Sequence, residues 1–178
     1  MNQIFKPVSH PEIPPQSILF SGFIFKEIEI YEKLKEEIKK IWGNFIDESD
    51  LFPFNITDYY FKEIGEPLFR RFILFDNLLK DPSKIIEVKL KSYDLEKKYS
   101  IEGKRRINID PGYLNKFQVV ITTFKRFSHR IYLGEGVYAH LEYIFKKKKP
   151  TPLPWTYPDF LQESYINLFD KWHKKLEI

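Results

Sequence analysis

The polar residues that could do chemistry are concentrated between Lys104 and Tyr138. Arg106, Asn108 and Asp110 stand two residues apart, which places them on one face of a β-strand. Arginine binds a phosphate or carboxylate through paired hydrogen bonds, and an aspartate beside it accepts a proton or a hydrogen bond. The three residues therefore suit one polar ligand. As an alternative, they form a solvated strand face on which Asp110 caps its own turn.

His129 is the histidine whose neighbours most resemble those of a functional site. It follows Lys125 and Arg126 and precedes Arg130. Nearby positive charges lower the pKa of an imidazole and keep it neutral, which suits a general base. The alternatives are a hydrogen-bonded histidine at the edge of the core and, for Arg130 and His140, a surface charge ladder between strands.

Two aromatic segments complete the candidates. Asp58-Tyr59-Tyr60 places a carboxylate beside two phenols near a predicted helix start, and Trp155 lies between prolines, where it could form a wall for a stacked ring. Such aromatics also serve as packing residues with a polar tip.

We predict three catalytic residues and eight ligand-binding residues. The catalytic candidates are His129, Asp110 and Asp58; the ligand-binding candidates are Arg106, Asn108, Lys125, Arg130, Tyr60, Tyr132, Arg71 and Trp155. No metal site is predicted, because the histidines are scattered and His140 and Glu142 lack a third ligand. There is no phosphate-binding glycine loop and no nucleophile elbow, so the sequence identifies neither a reaction nor a cofactor.

Composition narrows the class of protein. The 178 residues suit one α+β domain over the whole chain, preceded by an extended, proline-rich leader at residues 1–16. The chain has no cysteine, which excludes disulfides, thiolate metal sites and a cysteine nucleophile. We expect no signal peptide and no membrane span, and therefore a cytoplasmic location.

Positive charge is unevenly distributed along the chain. The formal net charge is +4, but residues 104–149 contain 11 Lys and Arg against 3 Asp and Glu. This excess favours an anionic partner, whether phosphate, carboxylate or nucleic acid. The lysine run at 146–149 supplies part of the excess and could instead block pairing at a sheet edge.

Hydrophobic periodicity predicts a ferredoxin-like βαββαβ core, extended by C-terminal strands in a hairpin and by a final helix, with a mixed, mostly antiparallel sheet. The predicted strands cover residues 17–25, 48–56, 71–76, 105–110 and 117–124 and a hairpin at 129–145; the helices cover 27–42, 57–65, 81–99 and 159–176.

Four details of this prediction can be checked directly. Asp110-Pro111-Gly112-Tyr113 has the pattern of a type II turn. Asp81 is expected to cap the helix that follows it. That helix is expected to bury the residues at positions 85, 86, 90 and 93. The hairpin is expected to have a three-residue loop at 134–136 that pairs Leu133 with Val137 and leaves His140 and Glu142 on the polar face.

Long motifs in this chain resemble those of one protein family. GKRRINIDPGYL, TTFKRFSHRIYLGEGVYA and LPWTYPDF, with NITDYY and GEPLFRRF upstream, are similar to the prokaryotic family catalogued as domain of unknown function 4416, over nearly all of the chain from Ser17. The resemblance implies a single-domain protein without an established activity. Some members are labelled GTP-binding, but this chain has no GxxxxGK[ST] loop. The family's motif residues fall at Asp58, Tyr59, Tyr60, Arg71, Lys89, Arg106, Asn108, Asp110, Tyr113, Thr122, Lys125, His129, Arg130, Tyr132, Trp155, Thr156 and Tyr157.

Three functions follow from the sequence. The first is an enzyme or binding protein for a small anionic metabolite, with the candidate residues converging in one pocket. The second is an RNA-binding module, which requires Tyr132, Tyr138 and Arg130 to lie exposed on a flat sheet face. The third is a protein-interaction module without catalysis. The sequence does not indicate an oligomeric state.

Overall fold

The computed structural model of this protein describes residues 11–175, which form one large sheet with helices on both faces. The predicted leader lies partly outside the described residues, and residues 11–16 form neither helix nor strand. The strands are β1 (Ser17–Phe25), β2 (Phe45–Glu48), β3 (Phe52–Pro53), β4 (Phe69–Leu79), β5 (Ile107–Leu114), β6 (Gln118–Thr123), β7 (Ile131–Gly134), β8 (Val137–Lys146) and β9 (Lys149–Pro152). The helices are α1 (Ile28–Trp42), α2 (Phe61–Ile64), α3 (Ile85–Lys98) and α4 (Glu163–Lys175), with 3-10 turns at Pro82–Lys84 and Pro158–Leu161.

The strands pair in the order β2-β4-β1-β5-β6-β8-β7, with β3 also on β4 and β9 also on β8. Every strand pairing within residues 11–175 is antiparallel. The predicted α+β class and mostly antiparallel sheet are therefore confirmed. None of the helices in this part of the chain is long and apolar enough to cross a membrane.

Two apolar layers hold the helices to the sheet. On one face α1 and α3 pack against odd-numbered side chains of β1, and the ring of Tyr31 stacks on Phe25 with centroids 4.6 Å apart. On the other face α4 packs against even-numbered ones, and Phe169 meets Phe20 edge to face at 5.0 Å. Strand β1 is buried along its whole length because both of its faces are covered.

The second predicted strand is in fact two short strands, β2 and β3. Between them, the Ser49 hydroxyl accepts a hydrogen bond from the Phe72 N–H at 2.9 Å, which takes the place of a strand pairing. Pro53 lies at the sheet edge, as expected, because β3 pairs only with β4. Asp81 caps the 3-10 turn at Pro82–Lys84, so the α-helix begins one turn later than predicted.

The predicted turn at residues 110–113 is wrong. Strand β5 continues through Pro111 and Gly112 and pairs with β1 over its full length. Gly112 has another role: a Cβ at this position would lie 2.2 Å from the Val120 carbonyl oxygen and 2.7 Å from Cζ of Phe20. The glycine therefore permits a close approach of backbones and is not needed for a turn.

Strands β5 and β6 separate soon after this contact. Gly112–Leu114 of β5 pair with residues 119–121 of β6, and the first half of β5 has no β6 partner. Helix α3 supplies hydrogen bonds there: the Glu96 carboxylate accepts from the Ile109 N–H at 2.6 Å, and Lys89 Nζ donates to the Ile109 carbonyl at 3.1 Å. The split opens a polar cleft in the sheet.

The buried face of α3 differs from the predicted one because α3 supplies hydrogen bonds to β5 where β6 does not pair with it. Ile85 is buried as expected, but Tyr93 is 47% exposed, whereas Lys89, Ser92 and Glu96 are buried. Lys89 and Glu96 face inward because they complete the open edge of β5, and Ser92 lies between them with its hydroxyl donating to the Lys89 carbonyl at 2.7 Å.

One predicted pairing of the β7–β8 hairpin is confirmed, and its predicted loop length is wrong. Ile131 pairs with Ala139 as predicted, but Val137 pairs with Gly134, with an irregularity at Leu133. Only residues 135 and 136 form the loop, and both have positive φ, which matches a two-residue hairpin turn. The irregularity restores the register that a two-residue loop would otherwise shift.

The predicted polar face of this hairpin is also wrong. His140 and Glu142 are both buried, because the segment after β9 covers them, and the ring of Tyr157 stacks on His140 at 4.3 Å. Ile131, predicted on the apolar face, is 70% exposed. Glu142 lies at a bulge, where β8 has one residue more than β6 between the pairs Val119–Tyr143 and Val120–Leu141.

We expect Gly112→Ala to lower the free energy of unfolding by about 3 kcal/mol, because the added methyl group meets backbone atoms that cannot move aside. Gly103→Ala is the control, since its Cβ would meet nothing within 4 Å and its φ of +75° costs about 1 kcal/mol. Urea unfolding of both variants measures the difference. Equal losses of stability would contradict the close approach of β5 and β6.

Candidate functional site

The split between β5 and β6 contains a cavity of about 380 Å³. Its wall combines apolar, aromatic and charged side chains from both faces of the sheet. The lining residues are Ile24, Phe54, Ile56, Thr57, Tyr59, Tyr60, Arg70, Lys89, Glu96, Arg105, Asn108, Asp110, Ile121, Thr122, Thr123, Phe124, Lys125, Arg130, Tyr157, Pro158 and Asp159.

Arg70 lies deep in the cavity. Its Nη1 is 3.4 Å from Asp110 and 3.9 Å from Asp159, and its guanidinium lies over the Phe72 ring at 4.9 Å. The group has room there because residue 22 is glycine: a Cβ on Gly22 would be 2.9 Å from Nη2 of Arg70. The Arg70 Nε is buried without a hydrogen bond to the described residues. Arg70 is therefore held in place by long ion pairs and keeps donor capacity.

Asp110 lies between Arg70 and Lys89. Its Oδ2 accepts a hydrogen bond from the Asn108 amide at 2.8 Å, while its Oδ1 is 3.8 Å from Nζ of Lys89, too far for a hydrogen bond. No other described residue donates to this Oδ1. The Asp110 carboxylate is therefore oriented by one oxygen and leaves the other free toward the cavity.

Burial shifts the pKa values of two acids that line the cavity. Burial raises the pKa of Glu96 and of Asp159, although Lys89 and Arg70 respectively oppose the change. Both carboxyl groups are therefore easier to protonate than exposed ones.

Lys125 and Arg130 lie at the mouth. Lys125 Nζ is 3.5 Å from the centroid of the Tyr59 ring. The Arg130 guanidinium donates to the Lys125 carbonyl at 2.8 Å, to the Tyr157 hydroxyl at 2.9 Å and to Nδ1 of His140 at 3.1 Å. These contacts fix Arg130 without a carboxylate partner.

Behind Arg130, a buried histidine and a buried glutamate continue the chain of polar contacts. Arginine is only a donor, so Nδ1 of His140 accepts from Arg130 and the proton of the neutral ring is assigned to Nε2. That Nε2 is 3.3 Å from Oε1 of Glu142, whose Oε2 accepts from the Tyr157 N–H at 3.1 Å. His140 therefore supports Arg130 from outside the cavity, and Glu142 lies beside His140 without a hydrogen bond between Nε2 and Oε1.

Burial changes both pKa values of this pair. It lowers the pKa of His140 to about 4, with a further contribution from the Arg130 charge, and raises the pKa of Glu142 well above its ordinary value. The neutral form is therefore favoured at each position.

The structure brings five of the predicted site residues to the cavity: Asn108, Asp110, Lys125, Arg130 and Tyr60. Arg71 and Arg106 do not line it. Arg71 faces α1, where it binds Glu48 at 2.7 Å, and Arg106 is paired with Glu27.

The other four candidates, His129, Asp58, Tyr132 and Trp155, do not line the cavity either. His129 lies beside His140, with Nε2 3.3 Å from its Nδ1, and stacks on Trp155 at 5.5 Å. Partial burial and the Arg130 charge lower the pKa of His129, the direction that the sequence predicted. Asp58 is exposed, and Tyr132 is 59% exposed on β7.

Several cavity residues were not among the predicted site residues, although Lys89 falls at a motif position of the family. Lys89 and Glu96 line the cavity and share one helical face with Ser92, so a polar stripe on α3 was readable as a signal. Nothing in the sequence distinguishes Arg70 from Arg71, because adjacent strand residues point to opposite faces and only the folded sheet defines those faces. Among residues 11–175, no three histidine or acidic side chains form a group that could hold a metal.

We expect Glu142→Gln to make stability less dependent on pH. Because the folded pKa of Glu142 is raised, the wild-type protein loses stability as the pH rises above the unfolded value, and the amide removes this loss. The gain of the variant over wild type should be larger at about pH 8 than at about pH 5 in urea unfolding. Glu135→Gln, in the exposed hairpin loop, is the control. A gain independent of pH would contradict the burial of an ionisable group.

Comparison with known proteins identifies the family. No curated protein and no solved structure matches this chain. The profile of the family described as "Domain of unknown function (DUF4416)" matches residues 15–176, which is nearly the entire sequence. The cavity and the residues around it lie inside the matched region. This chain belongs to the DUF4416 family.

Proposed function

We propose that this protein binds a small anionic metabolite in the cavity between β5 and β6, with the anion at Lys125 and Arg130. One observation carries the proposal: neither of these two side chains has a carboxylate oxygen within 4.0 Å among residues 11–175, although both lie at the mouth of a cavity. An anion there would complete their charge pairing.

Unlike Lys125 and Arg130, the neighbouring arginines have carboxylate partners. Arg71 binds Glu48 and Arg105 binds Glu63, each with a nitrogen-to-oxygen distance of 2.7 Å, and Arg106 is paired with Glu27. The positive excess predicted from the sequence of residues 104–149 is therefore partly neutralised within the fold. Lys125 and Arg130 are the basic side chains of this stretch that line the cavity without such a partner.

The cavity suits a metabolite in size and character. About 380 Å³ is within the range of small-molecule sites, and Ile24, Phe54, Tyr60 and Phe124 supply apolar wall. If catalysis occurs, Asp110 is the best placed base, because it lines the cavity and its Oδ1 accepts no hydrogen bond from the described residues. His129 lies behind Arg130, so we propose that it acts on the site indirectly.

RNA binding is the second candidate. Tyr132 is 59% exposed, as an RNA-binding sheet would require, but Arg130 lines the cavity and its guanidinium donates to Tyr157. The cleft therefore favours a small ligand over a strand of RNA. A cytoplasmic location stays a prediction from the sequence.

We also propose that the first half of the chain is a ferredoxin-like unit. The order β2-β4-β1-β5, with α1 and α3 on one face, supports a βαββαβ arrangement to which β6–β9 and α4 are added.

The proposal is tested by a thermal-shift screen against nucleotides, sugar phosphates, carboxylates and short RNA. A ligand at 100 times its dissociation constant should stabilise the protein by about 2.7 kcal/mol. For the strongest binder, we expect Lys125→Met to weaken binding about tenfold in calorimetry, because one charge-assisted hydrogen bond is lost.

Arg126→Met is the matched control, because it removes one positive charge from the adjacent, exposed residue outside the cavity lining. Equal weakening by both variants, with a steep salt dependence and an RNA ligand, would favour the RNA-binding candidate. The absence of any ligand-induced shift would contradict the anion site.

A further inference from the structure

The two ends of the cavity differ in charge. At the inner end, Arg70 and Lys89 are matched by Asp110 and Asp159, and Arg70, Lys89 and Asp159 are each less than a tenth exposed. At the mouth, neither Lys125 nor Arg130 has a carboxylate oxygen within 4.0 Å in the described part of the chain. A bound molecule therefore meets a balanced polar environment inside and a positive one outside.

The inner end suits a group that both accepts and donates a hydrogen bond. Asp110 Oδ1 accepts no hydrogen bond from residues 11–175. Nζ of Lys89, which donates one hydrogen bond to the Ile109 carbonyl, lies 3.8 Å from it. A hydroxyl oxygen about 2.8 Å from both atoms would accept from Lys89 and donate to Asp110. A deprotonated anion in the same place would instead face the Asp110 carboxylate without a proton to share.

We propose that the ligand is a hydroxylated oxyanion, such as a sugar phosphate or sugar acid, with a hydroxyl group between Asp110 and Lys89 and its anion at Lys125 and Arg130. This inference rests on the proposed function and adds the class and orientation of the ligand. A site whose polar groups are left unpaired by an analogue discriminates strongly against that analogue.

Matched pairs of compounds test the inner end. Calorimetry compares glycerol 3-phosphate with propyl phosphate, ribose 5-phosphate with pentyl phosphate, and glucose 6-phosphate with hexyl phosphate. A second series compares ribonate with pentanoate and gluconate with hexanoate. We expect at least one hydroxylated compound to bind at least about tenfold more tightly than its partner. A preference confined to one series identifies the anion as phosphate or carboxylate.

We expect the variant Asp110→Asn to change the affinities of the two compounds of a pair in opposite directions. The amide oxygen still accepts from Asn108, but an NH2 group replaces the free oxygen, so the hydroxylated compound should bind at least about tenfold more weakly. The alkyl phosphate or alkyl carboxylate should bind equally or more tightly, because a negative charge has been removed. Asp94→Asn, on the exposed face of α3, is the control for net charge.

The outcomes separate the two proposals. Equal binding within every pair, with Lys125→Met still weakening it, would overturn the hydroxyl site and leave the anion site in place. Failure of every compound here, together with the absence of any anion-induced shift in the thermal-shift screen, would overturn both. The comparison of pairs in the wild-type protein decides the matter even where Asp110→Asn does not fold.

Discussion

The site depends on how the backbone polar groups of β5 find hydrogen-bond partners where β6 no longer pairs with this strand. A buried backbone amide or carbonyl without a partner costs about 1–3 kcal/mol. Glu96 and Lys89 provide partners for both polar groups of Ile109, and they do so from a helix and not from a strand. The sheet can therefore open at this point without losing the hydrogen bonds that a neighbouring strand would have provided.

This solution has electrostatic consequences. A lysine and a glutamate that are both about 5% exposed need further charges nearby, and Asp110 and Arg105 provide them on the cavity side. Asp110 in turn attracts Arg70, which reaches it across Gly22. The hydrogen bonds that close the edge of β5 and the charged groups of the cavity thus belong to one network, so that the stability of the sheet and the chemistry of the site are coupled.

Most helices and strands could be predicted in order from the sequence, although β9 was not, and the site was only partly predictable. Tyr31, Leu34 and Ile38 have helical spacing, which indicates the helix at 27–42, and α1 buries all three. Pro111-Gly112 was misinterpreted because the same dipeptide suits a turn and a strand in close contact with its neighbour. Only the position of the Val120 carbonyl, which is remote in sequence, decides between them.

Long-range packing also explains the errors around Arg130. Local alternation placed His140 and Glu142 on a solvated strand face, but Tyr157, which follows in the next segment of the chain, covers them. Covering these groups removes their water, favours their neutral forms, and leaves Arg130 as the charged end of the chain of contacts. The positive charge at the mouth is therefore held by a support, His140, whose neutral form burial favours. Such a support does not compete with a bound anion for the Arg130 guanidinium, and this distinguishes Arg130 from the arginines that the fold has already paired.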